Sequence, residues 1–317
     1  MGPGLLAYTI RRVLWAVPVL FAISVIVFYV MRLAPGDPVD SLLGTRYNDQ
    51  TAAVLRKKYG YDEPVHIQYV KYMENLFKGD LGVSTRHQGF TVKEVIWPKI
   101  KVSTQLGAMA LIITFALGIP IGVYAALARG TFLDPLTISF WLALDAIPVF
   151  VMIPILQYFF AVKLGWIELG WDGVYSTNVI LPVLIMSLPG VAGVARFMRA
   201  SVISVMGEDY IRTARAKGLR ESTVVISHIT RNALLPMITV IGLSLPGITA
   251  GALFTEQFFG IPGIAREALA AVTAPDFDVV LALVLFGSTL FVIANIVIDV
   301  SYAVIDPRVR VGGSRRA

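Results

Sequence analysis

Residues 13–31 pass 19 positions without a charged side chain, and a helix of that length, rising about 1.5 Å per residue, nearly crosses the roughly 30 Å hydrocarbon layer of a bilayer. No other feature restricts the fold as much. In hydrocarbon each backbone N–H and C=O must be satisfied without water, which leaves helices or closed barrels. Five further apolar stretches follow at about 102–128, 135–162, 173–195, 232–255 and 279–298, and only the second contains a charge, Asp145. A chain that is 56% hydrophobic and 15% charged, with a mean hydropathy of +0.72, does not have the composition of a pair of soluble domains. The expected fold is an all-α membrane protein with about six transmembrane helices. Pro120, Pro148, Pro154, Pro182, Pro189, Pro236 and Pro246 fall inside the later stretches, so kinked spans are expected, with neighbouring helices satisfying the freed backbone groups. Arg11-Arg12 invites a twin-arginine signal reading, but the run after it is too long for a signal core and Arg32-Leu33-Ala34-Pro35 offers no small-x-small cleavage site. A retained anchor is expected.

Lys and Arg in the connections set the expected orientation. With the N-terminus inside, the inner pieces hold Arg11 and Arg12, then Arg129, then seven basic residues from Arg196 to Arg231 and four from Arg308 to Arg316, whereas the two short outer loops hold Lys163 and Arg266. Both termini are therefore expected in the cytoplasm. The segment at 34–100 has ordinary soluble composition, and its length exempts it from the positive-inside bias. Helical spacing at 51–59 and 66–77, with Val65, Tyr69, Tyr72, Met73 and Leu76 available for one face, predicts a small, mostly helical extracytoplasmic domain between the first two spans. The chain thus divides into 1–33, the outer domain 34–100, a five-helix core 101–304 and a tail 305–317, of which 311–317 reads as a frayed basic end. The net charge of +6 sits beside apolar runs without an aromatic-basic platform, so nucleic acid is not an expected partner and membrane lipid is.

The chain has no cysteine, and His66, His87 and His228 lack ligand spacing, so neither a disulfide framework nor a metal site is expected. No Gly-x-x-x-x-Gly-Lys-Ser or Gly-Lys-Thr run exists to cradle nucleotide phosphates, and no paired-aspartate, serine-dyad or His-Glu-x-x-His arrangement lies within the spans. The chain is not expected to be an enzyme. Its most informative stretch lies between the fourth and fifth spans and reads Asp209-Tyr210-Ile211-Arg212-Thr213-Ala214-Arg215-Ala216-Lys217-Gly218-Leu219. As a short helix within 208–220 it places Ile211, Ala214, Gly218 and Leu219 on one face and Arg212, Arg215 and Arg220 off it, with Asp209 at the N-cap and Gly218 at an αL C-cap. A capped helix with a small-residue face is a shape that can plug into a cleft of a soluble partner.

This stretch resembles the coupling helix of the permease family of ABC importers, in particular its dipeptide, oligopeptide and nickel branch. Members end that helix in Ala-x-Ala-Lys-Gly-Leu, here Ala214 to Leu219, and follow it with His-x-x-x-Arg-Asn-Ala-x-x-Pro or a close variant. The counterparts in this chain are His228, Arg231, Asn232, Ala233 and Pro236. The broader permease signature opens Glu-Ala-Ala, where this chain has Arg212, Thr213 and Ala214, and Pro236 lies farther from Gly218 than that pattern has it. Further similarities are Arg11-Arg12 with Pro18 and Phe28, Arg32 to Pro38, Gly79-Asp80-Leu81-Gly82-Val83-Ser84, Glu256 to Gly263 and Asp306-Pro307-Arg308; Ala265 stands where Gly is common. Their order and placement make chance agreement improbable.

The resemblance implies the type I importer fold, location in the bacterial cytoplasmic (inner) membrane and alternating access for dipeptides or oligopeptides. Partners would be a second permease subunit, two ATPase subunits that bind ATP and Mg, and an extracytoplasmic substrate-binding protein. It also implies a coupling role for the residues of 209–219. Nickel, glutathione or another small solute are alternatives within the family. An ion-coupled secondary transporter is the alternative outside it, and would call for several intramembrane charges or an inverted repeat. Asp145, at an insertion cost of about 2.5 to 3.5 kcal/mol, is read either as a pathway carboxylate for a peptide ammonium or as a partner for a neighbouring helix. Glu256 is read as a gate or as the cap of a helix beginning near Pro262, and Phe259, Pro262 and Gly263 share that candidate gate. Arg196, Arg199 and Arg220 are read as positive-inside anchors.

Overall fold

The computed structural model describes residues 3–33, 39, 43, 48–250 and 252–305. Residues 34–38 of the Arg32 to Pro38 similarity, the Asp306-Pro307-Arg308 match and the basic tail lie outside the described residues. The helices in chain order are α1 (Pro3–Leu33), α2 (Asp49–Tyr59), α3 (Val65–Phe77), α4 (Val92–Leu127), α5 (Leu133–Asp145), α6 (Val149–Gln157) and α7 (Ile180–Met206). They continue with α8 (Asp209–Ala216), α9 (Glu221–Ala233, with a π turn in its middle), α10 (Met237–Ala250), α11 (Leu253–Phe258), α12 (Ile264–Thr273) and α13 (Phe277–Ile305). Among the described residues four stretches are long and apolar enough to cross a membrane, Leu6–Leu33, Val92–Leu127, Thr177–Met206 and Phe277–Val300, and there are six if each of two bent pairs is one span. Val83 and Thr91 form an isolated antiparallel bridge, and the described residues contain no strand. The chain divides into two compact units, Met1–Ser103 with Thr249–Gly251 and Pro262–Ala317, and Thr104–Ile248 with Ala252–Ile261.

In the first unit α1 packs along α13. The two expected soluble helices form much as their spacing predicts. Asn48 starts α2 by accepting the Gln50 N–H at 2.9 Å, Arg56, Lys57 and Lys58 suit the negative end of its dipole, and Gly60, at φ 71°, ends it. On α3, Tyr69, Tyr72 and Met73 pack with Phe28 and Leu281, and the Tyr69 hydroxyl lies 2.7 Å from Ser24 Oγ, so this face docks α3 onto α1 and α13. Val65, placed on the same face by sequence, stays exposed. α4 begins at Val92, well before the uncharged run, because Val92, Val95, Ile96 and Ile100 bury against Ile264, Val279 and Leu283.

The loop between α3 and α4 is held by carboxylates. Asp80 Oδ1 accepts the Gly82 N–H at 2.9 Å, and Gly82 has φ 86°, a left-handed conformation that favours glycine, with Asp278 Oδ2 only 2.6 Å from where a Cβ would sit. Beyond it, Ser84 Oγ and the Arg86 N–H donate to Asp276, while Lys99 reaches Glu267 Oε2 at 2.9 Å and His87 and Arg86 reach Oε1 at 2.9 and 3.3 Å. Burial alone would raise the Glu267 carboxyl, but the contacts with Lys99 and His87 outweigh it and hold it below the ordinary carboxylate range. A depressed carboxylate contributes stability that is present above its unfolded pKa and is lost as pH falls through the folded one. Glu267→Gln is therefore expected to cost on the order of 3 kcal/mol near neutrality and to flatten the acid limb of thermal unfolding in detergent. Unchanged unfolding near neutrality and in acid would refute this role for Glu267.

In the second unit α4 and α7 approach through small residues. A Cβ on Gly118 would fall 2.6 Å from Val194, one on Gly122 2.5 Å from the Ala195 carbonyl oxygen and one on Gly190 2.7 Å from Thr114, the close backbone contact that helices in lipid exploit. Of the seven prolines expected to kink spans, Pro148 and Pro236 lie at breaks, whereas Pro120, Pro154, Pro182, Pro189 and Pro246 lie within helices that run past them. α5 and α6 bend by 92° around Ala146-Ile147-Pro148, and α9 and α10 by 52° near Pro236. α9 reaches back to Glu221, earlier than the uncharged run at 232–255, because Val224, Ile229 and Ala233 are core residues spaced among polar ones.

Candidate functional site

The short helix expected at 208–220 forms as α8. Glu208, not Asp209, is its N-cap, with extended backbone at φ −73° and ψ 145°, and its side chain makes no cap hydrogen bond; Asp209 is the first helical residue. The shift follows from the backbone accounting, since the Ile211 N–H already donates to Glu208 O at 3.1 Å. At the other end Lys217 N–H donates to Thr213 O at 3.0 Å and Gly218 N–H to Arg215 O at 2.9 Å, and Gly218 takes the left-handed conformation, φ 74°, expected of it. Arg215 chelates Glu221 at 2.6 and 3.2 Å and so ties the helix to the start of α9. The Arg212–Asp209 contact at 3.4 Å is between exposed side chains and carries little energy.

The small-residue face does not stay together. Ile211 and Ala214, 0% and 6% exposed, pack against Met198 and Val202 of α7, Val224 and Ile229 of α9 and Met237 of α10. Gly218 and Leu219 are exposed, because α8 ends at Ala216 and the turn at Gly218 breaks the helical progression that would have kept them in line. The half of the face expected to enter a partner is thus the half that seats α8 on its own chain. Tyr210, Arg212, Thr213, Arg215, Ala216, Lys217 and Leu219 are exposed.

Asp145 ends α5 at the 92° bend and is exposed, so it terminates a helix and does not sit inside a continuous one. Glu256 is buried in α11, with Phe259 also buried just after it, and both belong to the second unit. Pro262, exposed, and Gly263, buried, belong to the first, where Gly263 opens α12 and the Ile264 N–H donates to Ser103 Oγ at 2.8 Å. Among the described residues no three His, Asp or Glu side chains converge as metal ligands.

One pair beside α8 escaped the sequence. Arg199 of α7 grips Asp134 in the first turn of α5 through Nε to Oδ1 and Nη2 to Oδ2, each 2.5 Å, with Asp134 6% exposed. Arg199 had the profile of an anchor, and Asp134 lies one position outside its apolar stretch; no spacing rule connects residues 65 apart.

Against known proteins, residues 118–311 match the family model of the binding-protein-dependent transport system inner membrane component, and residues 5–91 match the model of the N-terminal part of such membrane components. The chain belongs to this family of inner-membrane, multi-pass transport components. Its relatives include the oligopeptide transport system permease protein OppB of Haemophilus influenzae, 38% identical over 96% of this chain and 100% of the relative. The oligopeptide transport system permease protein AppB of Bacillus subtilis is 33% identical over 96% and 99%, and the dipeptide transport system permease protein DppB of Alkalihalophilus pseudofirmus 32% over 96% and 100%.

Proposed function

We propose that this chain is the membrane subunit of an ATP-driven importer for dipeptides or oligopeptides. It forms the pathway with a second, related permease and works by alternating access. Two attached ATPase subunits bind ATP and Mg, the chain itself binding neither, and an extracytoplasmic substrate-binding protein delivers the peptide. Both termini and α8 face the cytoplasm, and the 34–100 segment faces outward. The similarity to peptide permeases along nearly the entire length of both chains is the observation that carries this reading. The placement of α8 supports it. An exposed rim is mounted on a buried seat, so force applied to the rim bears on the core that α8 shares with α7, α9 and α10. ATP acts by changing the relative stability of the inward and outward states; equal affinity for both would shift nothing.

The test is reconstitution of the full complex in liposomes with labelled peptide. ATP enclosed on the ATPase side is expected to raise uptake at least tenfold over a non-hydrolysable analogue. Uptake by this chain alone, driven by an ion gradient and indifferent to ATP, would contradict the reading.

A further inference from the structure

We propose that the Asp134–Arg199 ion pair is a positioning element that obliges α5, and with it the bend at Asp145 to Pro148, to follow the movement of α8. The inference rests on the importer reading and extends it to two residues outside the coupling stretch.

Three observations lead to it. First, α8 rests on the π turn of α9, and Ile211 and Ala214 share one buried core with Met198 and Val202 of α7, so a movement of α8 bears on α7 through that core. Second, Arg199 follows Met198 directly, so the residue that receives the push from α8 and the residue that grips α5 are neighbours on one helix. Third, the grip is two-toothed, with Asp134 buried and the Arg199 side chain 31% exposed. Parallel guanidinium–carboxylate bonds resist both rotation and sliding, as a single ammonium contact does not, and loss of Arg199 would leave the buried Asp134 carboxylate without these bonds.

α5 leads from this grip straight to the 92° break, after which α6 runs in a new direction. Its carboxylate also lies in the first turn of α5, where the helix dipole favours a negative charge and would disfavour a positive one. The other cation acting on Asp134 is Arg129, in the loop before α5, and it makes no described contact that could substitute for the two bonds. α7 itself is locked to α4 at Gly118, Gly122 and Gly190. A displacement of α8 therefore reaches α4 through packing, and α5 through packing reinforced by this one polar clamp.

The experiment uses the complete importer in proteoliposomes and reads peptide transported per ATP hydrolysed, with Asp134→Asn, Arg199→Lys and the exchanged double variant Asp134→Arg with Arg199→Asp. Each single variant is expected to retain its ATPase subunits and hydrolyse ATP within about twofold of the parent, and Asp134→Asn to move roughly tenfold less peptide per ATP. Arg199→Lys, which keeps the charge and loses the fork, should fall between the parent and Asp134→Asn. The exchanged pair should recover part of the ratio, short of the parent because the dipole now opposes it. A purely structural pair would lower assembly, hydrolysis and uptake together at a constant ratio, and that result in the assembled fraction overturns the proposal, as does an exchanged pair no better than the singles. Should Asp134→Asn not assemble, Arg199→Lys alone decides through the same ratio. If the unmodified complex shows no ATP-driven uptake, the importer reading falls and this inference with it; if it does and the ratio never changes, only this inference falls.

Discussion

Leu219→Asp and Tyr210→Asp are expected to strip the ATPase subunits from a permease that remains folded and inserted. Both side chains are about two-fifths exposed, on a helix and turn that are otherwise polar. Exposed apolar anchors on a polar rim are the residues that dominate protein interfaces when buried by a partner, at about 2 kcal/mol or more each. Aspartate there exchanges an apolar contact for a charge that must be desolvated. The expected outcome is at least a tenfold fall in ATPase subunits co-purifying in mild detergent, with unchanged yield and thermal unfolding of the permease. Full retention of the ATPases by both variants would move the docking surface elsewhere.

Ala214→Trp is expected to abolish coupled uptake by another route. Sequence reading placed Ala214 at the docking surface; the structure places it 6% exposed beneath α8, in a core with Val202 and Ile211. A ring at that position cannot be absorbed by a packed core without displacing a helix, at about 1 to 3 kcal/mol or more. The displaced element is the eight-residue α8, the shortest helix bordering that core. Peptide uptake should fall by an order of magnitude or more while membrane insertion continues, since the long apolar spans are untouched. Gly218→Val should act more mildly, because no neighbour lies within 4 Å of a Cβ there and only the φ of 74° opposes the side chain, at about 1 to 2 kcal/mol. Equal uptake by Ala214→Trp and the parent would mean that α8 transmits nothing.

How far the fold was legible depended on whether a residue's environment is set by its neighbours in sequence. The long helices were visible because an uncharged run has few alternatives in lipid, and α2 and α3 because of their helical spacing; the cap at Asn48 and the stop at Gly60 emerged only in the structure. Helix starts were misjudged where the core continues into charged sequence, at Val92 and Glu221, because hydropathy averages over the lysines and glutamates interleaved with Val95 or Val224. α8 was legible as a helix, but not in which way it faces. The pattern of Ile211 and Ala214 marks a buried stripe equally well for the chain's own core and for a partner's cleft, and only tertiary contacts decide between them. The ionic staples were invisible. Glu267 gathers Arg86, His87 and Lys99 from far along the chain, and Asp134 meets Arg199 across two helices, so neither pairing leaves a local signature.

The absence of cysteine from the chain makes the central claim, that α8 presents its rim to a cytoplasmic ATPase, directly measurable with a single Leu219→Cys variant and a membrane-impermeant maleimide. Inside-out vesicles stripped of ATPase subunits should label fully, the same vesicles with the ATPases rebound should be protected, and sealed right-side-out vesicles should not label. Labelling from the outer face, or labelling of inside-out vesicles that ATPase binding does not diminish, would contradict it.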